Sequence, residues 1–260
     1  MTELFSVAGK VALVTGGSRG VGLMIARGLV RGGARVYITA RKAEACDAAA
    51  AELSQDGECF SVPADLSSRA GAEQLHAQVV GREERLHLLV NNAGASWGAP
   101  IDTYEEEGFD KVLDTNVKGV FFTTQLMLPL LRAAATADDP ARVINIGSVD
   151  GLSVPALESF AYSASKAAVH MLTRHLARRL VGEHINVNAI APGFFPSKMT
   201  AFMFATPDLE TALLERIPMK RAGTEEDIAG TVIYLASRAG AYVTGAVIPV
   251  SGGIATLSSM

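Results

Sequence analysis

The chain has 260 residues, 49% of them hydrophobic, with 23 basic against 27 acidic side chains and a net charge of −4. Its length suits one large domain or two small ones, and it buries enough surface to need neither disulfide nor metal. The acidic balance excludes the basic face of a non-specific nucleic-acid binder and a polybasic membrane anchor.

In chain order, short β-branched runs predict strands at 11–15, 35–40, 58–62, 86–90, 142–147, 184–190 and 246–250. Most are continuous apolar runs such as VALV, LHLLV and VINI, as expected of strands covered on both faces. Segments with helical spacing lie between them, at 20–32, 43–55, 69–82, 107–133, 159–182 and 225–237. Repeated strand-then-helix order implies a parallel α/β sheet with right-handed crossovers. No linker, repeat or low-complexity tract divides it, so one domain over 1–260 is expected. The long interruption is the segment at about 193–221. It is read as a substrate lid carrying at most a short helix.

Directly after the first strand comes Thr15-Gly16-Gly17-Ser18-Arg19-Gly20-Val21-Gly22. Glycines between a strand and a helix allow a tight turn and let a pyrophosphate approach the backbone at the helix N-terminus. The spacing is G-x-x-x-G-x-G, which differs from the common dinucleotide fingerprint. An acidic residue at the end of the second strand would hold the ribose of NAD. Here the chain reads Thr39-Ala40-Arg41-Lys42. Arg41, with Arg19 in the turn, offers two planar forks to a 2′-phosphate. NADP(H) is therefore expected over NAD(H).

Tyr162 and Lys166 stand at i and i+4, so both project from one helix face. Ser148 closes the fifth strand and Asn91-Asn92-Ala93-Gly94 the fourth, on the edge where open α/β sheets bind ligands. Asn116 lies within a helical stretch, where asparagine is a poor helix former. An adjacent ammonium is expected to lower the phenol pKa from near 10. Tyr162 then protonates the oxygen of a carbonyl that accepts hydride. Ser148 hydrogen-bonds that oxygen, and Asn116 is a candidate to hold a proton-relaying water near Lys166.

TGGSRGVG, Asp65 after the third strand, NNAG, the Asn116 position, Ser148, YSASK and Pro192-Gly193 share one order and spacing. From about residue 7 to 253 the chain thereby resembles the short-chain dehydrogenase/reductases. The resemblance implies a Rossmann-like, doubly wound parallel sheet of about seven strands with helices on both faces, and a homotetramer. It implies Asn116, Ser148, Tyr162 and Lys166 as the catalytic set. For the cofactor it implies Gly16, Ser18, Arg19, Gly20, Val21 and Gly22 of the turn, Arg41, and Asp65 with Leu66 at the adenine. Asn92, Ala93, Gly94, Tyr162, Lys166, Pro192, Gly193, Phe195 and Ser197 would complete that cleft. NNAGASWGA, VINIGSVDG and GAYVTGAVIP are similar to bacterial 3-oxoacyl-thioester reductases, implying an acyl-CoA or acyl-carrier-protein thioester as substrate. In two places the chain departs from that pattern. Gly182-Glu183-His184 stands where many of those reductases carry Arg, and Ser251-Gly252-Gly253 replaces a frequent Asp-Gly-Gly.

Phe194, Phe195, Met199, Phe202, Met203 and Phe204 crowd one short segment of a chain otherwise poor in aromatics. They read as an apolar wall for an acyl chain, or as core or subunit-interface residues, and Trp97 is placed with them. Other readings stay open: a ketoreductase of a steroid, polyketide, sugar or xenobiotic ketone, or a dinucleotide sensor without turnover. Ser148 is not a hydrolase elbow, since residue 146 is Ile where G-x-S-x-G needs Gly. The five histidines show no metal spacing. No uncharged run reaches the roughly 18 apolar residues of a membrane span, and Met1-Thr2-Glu3-Leu4-Phe5 does not read as a secretory signal. Cys46 and Cys59 are expected as free thiols in a reducing cytoplasm.

Overall fold

A computed structural model of the chain describes residues 2–155, 157–198, 200–201 and 205–257. Seven strands form one parallel sheet: β1 (Val11–Thr15), β2 (Arg35–Thr39), β3 (Cys59–Ser61), β4 (Leu88–Asn91), β5 (Ala141–Ile146), β6 (Ile185–Pro192) and β7 (Val247–Val250). Their spatial order is β3-β2-β1-β4-β5-β6-β7. β1, β4, β5 and β6 are buried along their whole length, as the uninterrupted apolar runs require. The edge strand β7 is only partly covered and tolerates Pro249.

Helices cover both faces. On one side α1 (Gly20–Arg31), α2 (Ala43–Leu53) and α8 (Glu225–Ala236) bury Ile25, Leu29, Cys46, Leu53, Ile228 and Val232. On the other, α3 (Arg69–Val80), α5 (Gly119–Ala134) and α6 (Phe160–Leu180) bury Leu75, Met127, Leu131, Ala177 and Leu180. A completely buried Leu side chain contributes about 1.5–3 kcal/mol relative to an exposed one. The two apolar layers therefore hold the sheet rigid from above and below. Chain order reverses direction between β1 and β4, which opens a crevice at their C-terminal ends.

Two segments depart from the sequence expectation. The single helix expected at 107–133 is two, α4 (Glu106–Leu113) and α5, joined by a π turn at Asp114–Lys118. Asn116 sits in that turn with 1% of its surface exposed. Periodicity continues through a π turn, so only the tertiary partners of Asn116 reveal it. The segment at 193–221 contains α7 (Pro207–Arg216), ten residues long. The Thr206 hydroxyl caps it by accepting from the Leu209 N–H, and Pro207 suits its first turn. Leu213 and Ile217 are buried and anchor it to the body.

Candidate active site

The glycine turn is bolted to the end of β4. Thr15 Oγ1 accepts the backbone N–H groups of Asn92 and Ala93 at 2.9 Å each and donates to the Val90 carbonyl at 3.3 Å. Asn92 Nδ2 reaches back to the carbonyls of Thr15 (2.9 Å) and Gly16 (3.2 Å). Gly16 has φ +65° and Gly20 φ +55°, the left-handed region that side chains disfavour. At Gly22 the limit is space: a Cβ would lie 2.3 Å from the Gly16 carbonyl oxygen and 2.4 Å from Asn92 Nδ2. Ser197 closes over the same turn, its Cβ 3.2 Å from where a side chain on Gly20 would begin. β6 continues through Pro192, and the Gly193 N–H donates to the Val250 carbonyl at 2.9 Å. A Cβ on Gly193 would lie 2.8 Å from Ser251 Cα, so the Ser251 backbone backs this corner.

The arginines of the β1–α1–β2 region fall into two groups. Arg27, Arg31 and Arg35 are each paired with carboxylates. Arg19 and Arg41 are exposed, and among the described residues their guanidinium groups have no ion pair or hydrogen bond. Two unpaired guanidiniums beside a glycine cradle at the α1 N-terminus fit a dinucleotide with a 2′-phosphate. Asp65 is exposed at the cleft edge, its Oδ1 accepting the Ser67 N–H at 3.1 Å. Leu66 beside it is buried.

Across the crevice, Ser148 lies two residues beyond β5 and its hydroxyl accepts the Asp150 N–H at 3.1 Å, capping a short turn over Val149–Gly151. Tyr162 and Lys166 lie in the first two turns of α6. Lys166 is buried, and its Nζ donates to the Ile146 carbonyl at 2.8 Å and lies 5.4 Å from the Tyr162 ring centre. Asn116 Nδ2 donates to the Ala95 carbonyl and to Ser165 Oγ, both at 2.9 Å, while its Oδ1 accepts the Ala95 N–H at 2.8 Å. Gly94 must be small here. A Cβ on it would approach Asn116 Oδ1 to 3.3 Å and Lys166 Nζ to 3.8 Å.

This geometry corrects the expectation of a phenol lowered from its ordinary value. Burial, aided by the Asp150 carboxylate, pushes the Tyr162 phenol up to about 12, while the Ser148 hydroxyl pulls the other way. Burial lowers Lys166 to about 8, opposed by Asp150. The net direction for the phenol is therefore upward in the free protein, with burial as the largest cause, and the Lys166 ammonium is held at the Ile146 carbonyl. The Asn116 amide is bound on both sides of the crevice. Both its N–H groups are committed, and it braces the NNAG segment against α6.

The apolar wall is only partly formed as expected. Phe195 is 3% exposed, its ring packed where a Cβ on Gly223 would lie 2.4 Å away. That side chain belongs to the core, and the residue can meet a cofactor only through its backbone. Phe194 is half-buried. The Trp97 ring lies against Gly108 of α4, with Lys111 Nζ 5.0 Å from its centre, so it packs on a helix. Met199, Phe202, Met203 and Phe204 lie outside the described residues. The sequence reading passed over Asp150, whose charge acts on both Tyr162 and Lys166. Its position two residues after Ser148 was the available signal. Among the described residues no cluster of His, Cys, Asp or Glu forms a metal site, and no helix is long and apolar enough to cross a membrane.

Among known proteins, residues 16–255 match the family described as enoyl-(acyl carrier protein) reductase. The chain is 56% identical over 254 residues to the rhamnolipids biosynthesis 3-oxoacyl-[acyl-carrier-protein] reductase of Pseudomonas aeruginosa, covering 97% of this chain and 99% of that protein. It is 38% identical over 249 residues to the 3-oxoacyl-[acyl-carrier-protein] reductase FabG of Staphylococcus epidermidis, covering 94% and 98%. The solved Pseudomonas aeruginosa RhlG/NADP active-site complex superposes with a TM-score of 0.96 at 54% identity, over 98% of this chain and 100% of that one.

Proposed function

The chain belongs to the short-chain dehydrogenase/reductase family, and on that premise we propose that it uses NADPH to reduce 3-oxoacyl thioesters to 3-hydroxyacyl thioesters. The observation that carries the reading is one crevice that joins two sets of groups. The cradle and the unpaired Arg19 and Arg41 lie on one side, and Ser148, Tyr162 and Lys166 on the other. The glycine turn, Arg19, Arg41 and the Asn92–Gly94 segment would hold NADPH, which when bound would supply the hydride for the carbonyl carbon.

Ser148 donates its hydroxyl hydrogen to the carbonyl oxygen and fixes its position. A phenol raised to about 12 is fully protonated near neutral pH, so Tyr162 enters the reaction as the acid. As its proton moves to the substrate oxygen, the developing phenolate is stabilised by the Lys166 ammonium on the same helix face. Asn116 holds the Ala95 backbone and Ser165, and thereby the two walls of the crevice, in register.

The acyl thioester is favoured by the activities of the relatives and by the Phe194 side of the cleft. A homotetramer in a reducing cytoplasm completes the reading. The apolar groove between α5 and α6 around Phe121, Leu128 and Leu176 supports the assembly, and the buried free thiols Cys46 and Cys59 support the compartment. The test is NADPH consumption with acetoacetyl-CoA and longer 3-oxoacyl thioesters, each offered on CoA and on a carrier protein. Turnover that rises with one chain-length class is expected. Consumption no faster than without thioester sinks the reading, and turnover confined to a sugar or steroid ketone moves the same chemistry to another substrate.

A further inference from the structure

His170 lies one turn beyond Lys166 and two beyond Tyr162, so the three share the inner face of α6. It is 4% exposed, and neither ring nitrogen has a partner at hydrogen-bonding geometry. Buried imidazoles without partners are costly and uncommon, and an apolar side chain of similar size would fill the space at less cost. The groups facing the ring explain the choice of histidine. Gly147 and Gly151 bracket the Ser148 turn, and both press on it. A Cβ on Gly147 would lie 2.1 Å from His170 Nε2, and one on Gly151 would lie 2.9 Å from Cε1. The Gly151 Cβ would also meet the α6 backbone at Lys166 and Ala167, at 2.7 and 2.8 Å. The turn that carries Ser148 therefore rests directly on the helix that carries Tyr162 and Lys166, with His170 as the wedge. Burial is the main influence lowering the imidazole's pKa, joined by Lys166 and Arg174 on its own helix, while the Gly151 carbonyl favours the protonated form. A neutral ring keeps one N–H to donate.

Resting on the reductase reading, we propose that His170 is a positioning residue for Ser148. Its imidazole sets the height of the Ser148 turn over Tyr162 and Lys166, and its N–H donates to the Gly151 carbonyl in the substrate complex. Catalytic hydrogen bonds are commonly long in free enzymes and tighten when substrate is bound. His170 itself touches no substrate.

The test compares the parent with His170→Leu, which keeps volume without a donor, and His170→Gln, which keeps a donor. The assay substrate is acetoacetyl-CoA or, if the parent does not turn it over, the carbonyl compound it reduces best. Failure of the parent on thioesters thus counts against the substrate class alone. For His170→Leu we expect kcat to fall about tenfold or more, since one donor in an oxyanion site typically carries about 10²–10³ directly. KM and NADPH affinity should stay within about twofold, and His170→Gln should recover most of kcat. Unchanged kcat in His170→Leu overturns the proposal, as does an equal loss in both variants or a loss confined to KM or NADPH binding. Should His170→Leu not fold, a cycle of Gly147→Ala and His170→Ala decides. A Cβ at Gly147 that harms kcat less once the ring is removed supports the wedge, and additive losses overturn it.

Discussion

Two buried polar clusters flank the C-terminal half of β5, and they are built in opposite ways. In the first, Asn91 Nδ2 donates to Thr124 Oγ1 and Asn145 Oδ1, and Asn145 Nδ2 donates to Thr173 Oγ1, all at 2.9 Å. Thr124 and Thr173 in turn donate to the Val120 and Val169 carbonyls at 2.8 Å. This chain ties β4, β5, α5 and α6 together. In the second, around Ser148, Tyr162, Lys166 and His170, partners are few and the titrating groups sit far from their usual pKa values. A satisfied network rigidifies, whereas an under-satisfied one keeps donors and protons available to substrate. The first cluster holds the elements in place, and the second works on what they position.

Substitutions can break that contrast. Tyr162→Phe should have the largest effect on activity. Loss of the general acid should lower kcat by about 10²–10⁴, while NADPH affinity in a fluorescence titration stays within about twofold. Loss of binding as well would assign Tyr162 to the scaffold. Arg41→Asp should shift the NADPH-to-NADH preference in kcat/KM by about 10–100-fold, since a charged hydrogen bond contributes roughly 1.5–3 kcal/mol. An unchanged ratio would mean that Arg41 misses the phosphate.

The pH dependence comes next. Lys166 loses its proton above about 8, so the reduction rate should fall as pH rises past that value, by up to about tenfold per unit. The same shift has a stability consequence. A lysine whose folded pKa lies below its unfolded value gives an unfolded state that binds more protons between about 8 and the ordinary lysine value of 10.5. Lys166 therefore makes the protein more stable as pH rises through that window. Urea titrations of the parent and of Lys166→Met at pH 7 and pH 10 read this directly, and equal pH slopes would contradict it. Asn145→Ala should affect activity least, with kcat changed less than about threefold. Unfolding stability should nevertheless drop by about 1–3 kcal/mol, because Asn91 and Thr173 lose a buried partner. A large kcat loss with intact stability would erase the distinction between the clusters.

Much of this molecule was legible in order along the chain. Strands and crossover helices write themselves as local apolar periodicity, and β1 falls on the expected Val11–Thr15. The glycine turn, Ser148 and the Tyr162/Lys166 pair are likewise local patterns, readable because each is set by neighbours within a turn or a strand. What the sequence could not carry are the contacts made between distant segments. Asn116 reads as an odd residue in a helix until Ala95 and Ser165 claim its amide and open a π turn. Phe195 reads as cleft lining until Gly223, far along the chain, makes room for its ring in the core.

Tertiary structure also decided the state of the protons. Spacing alone predicts a phenol lowered by its lysine, but burial acts on both groups, pushing Tyr162 up to about 12 and Lys166 down to about 8. Composition and order determined the fold class, the parallel sheet and the candidate reacting side chains, because these follow from short-range pattern. Packing alone determined how far each of those side chains is desolvated and what presses on it, and pKa and position depend on that long-range environment.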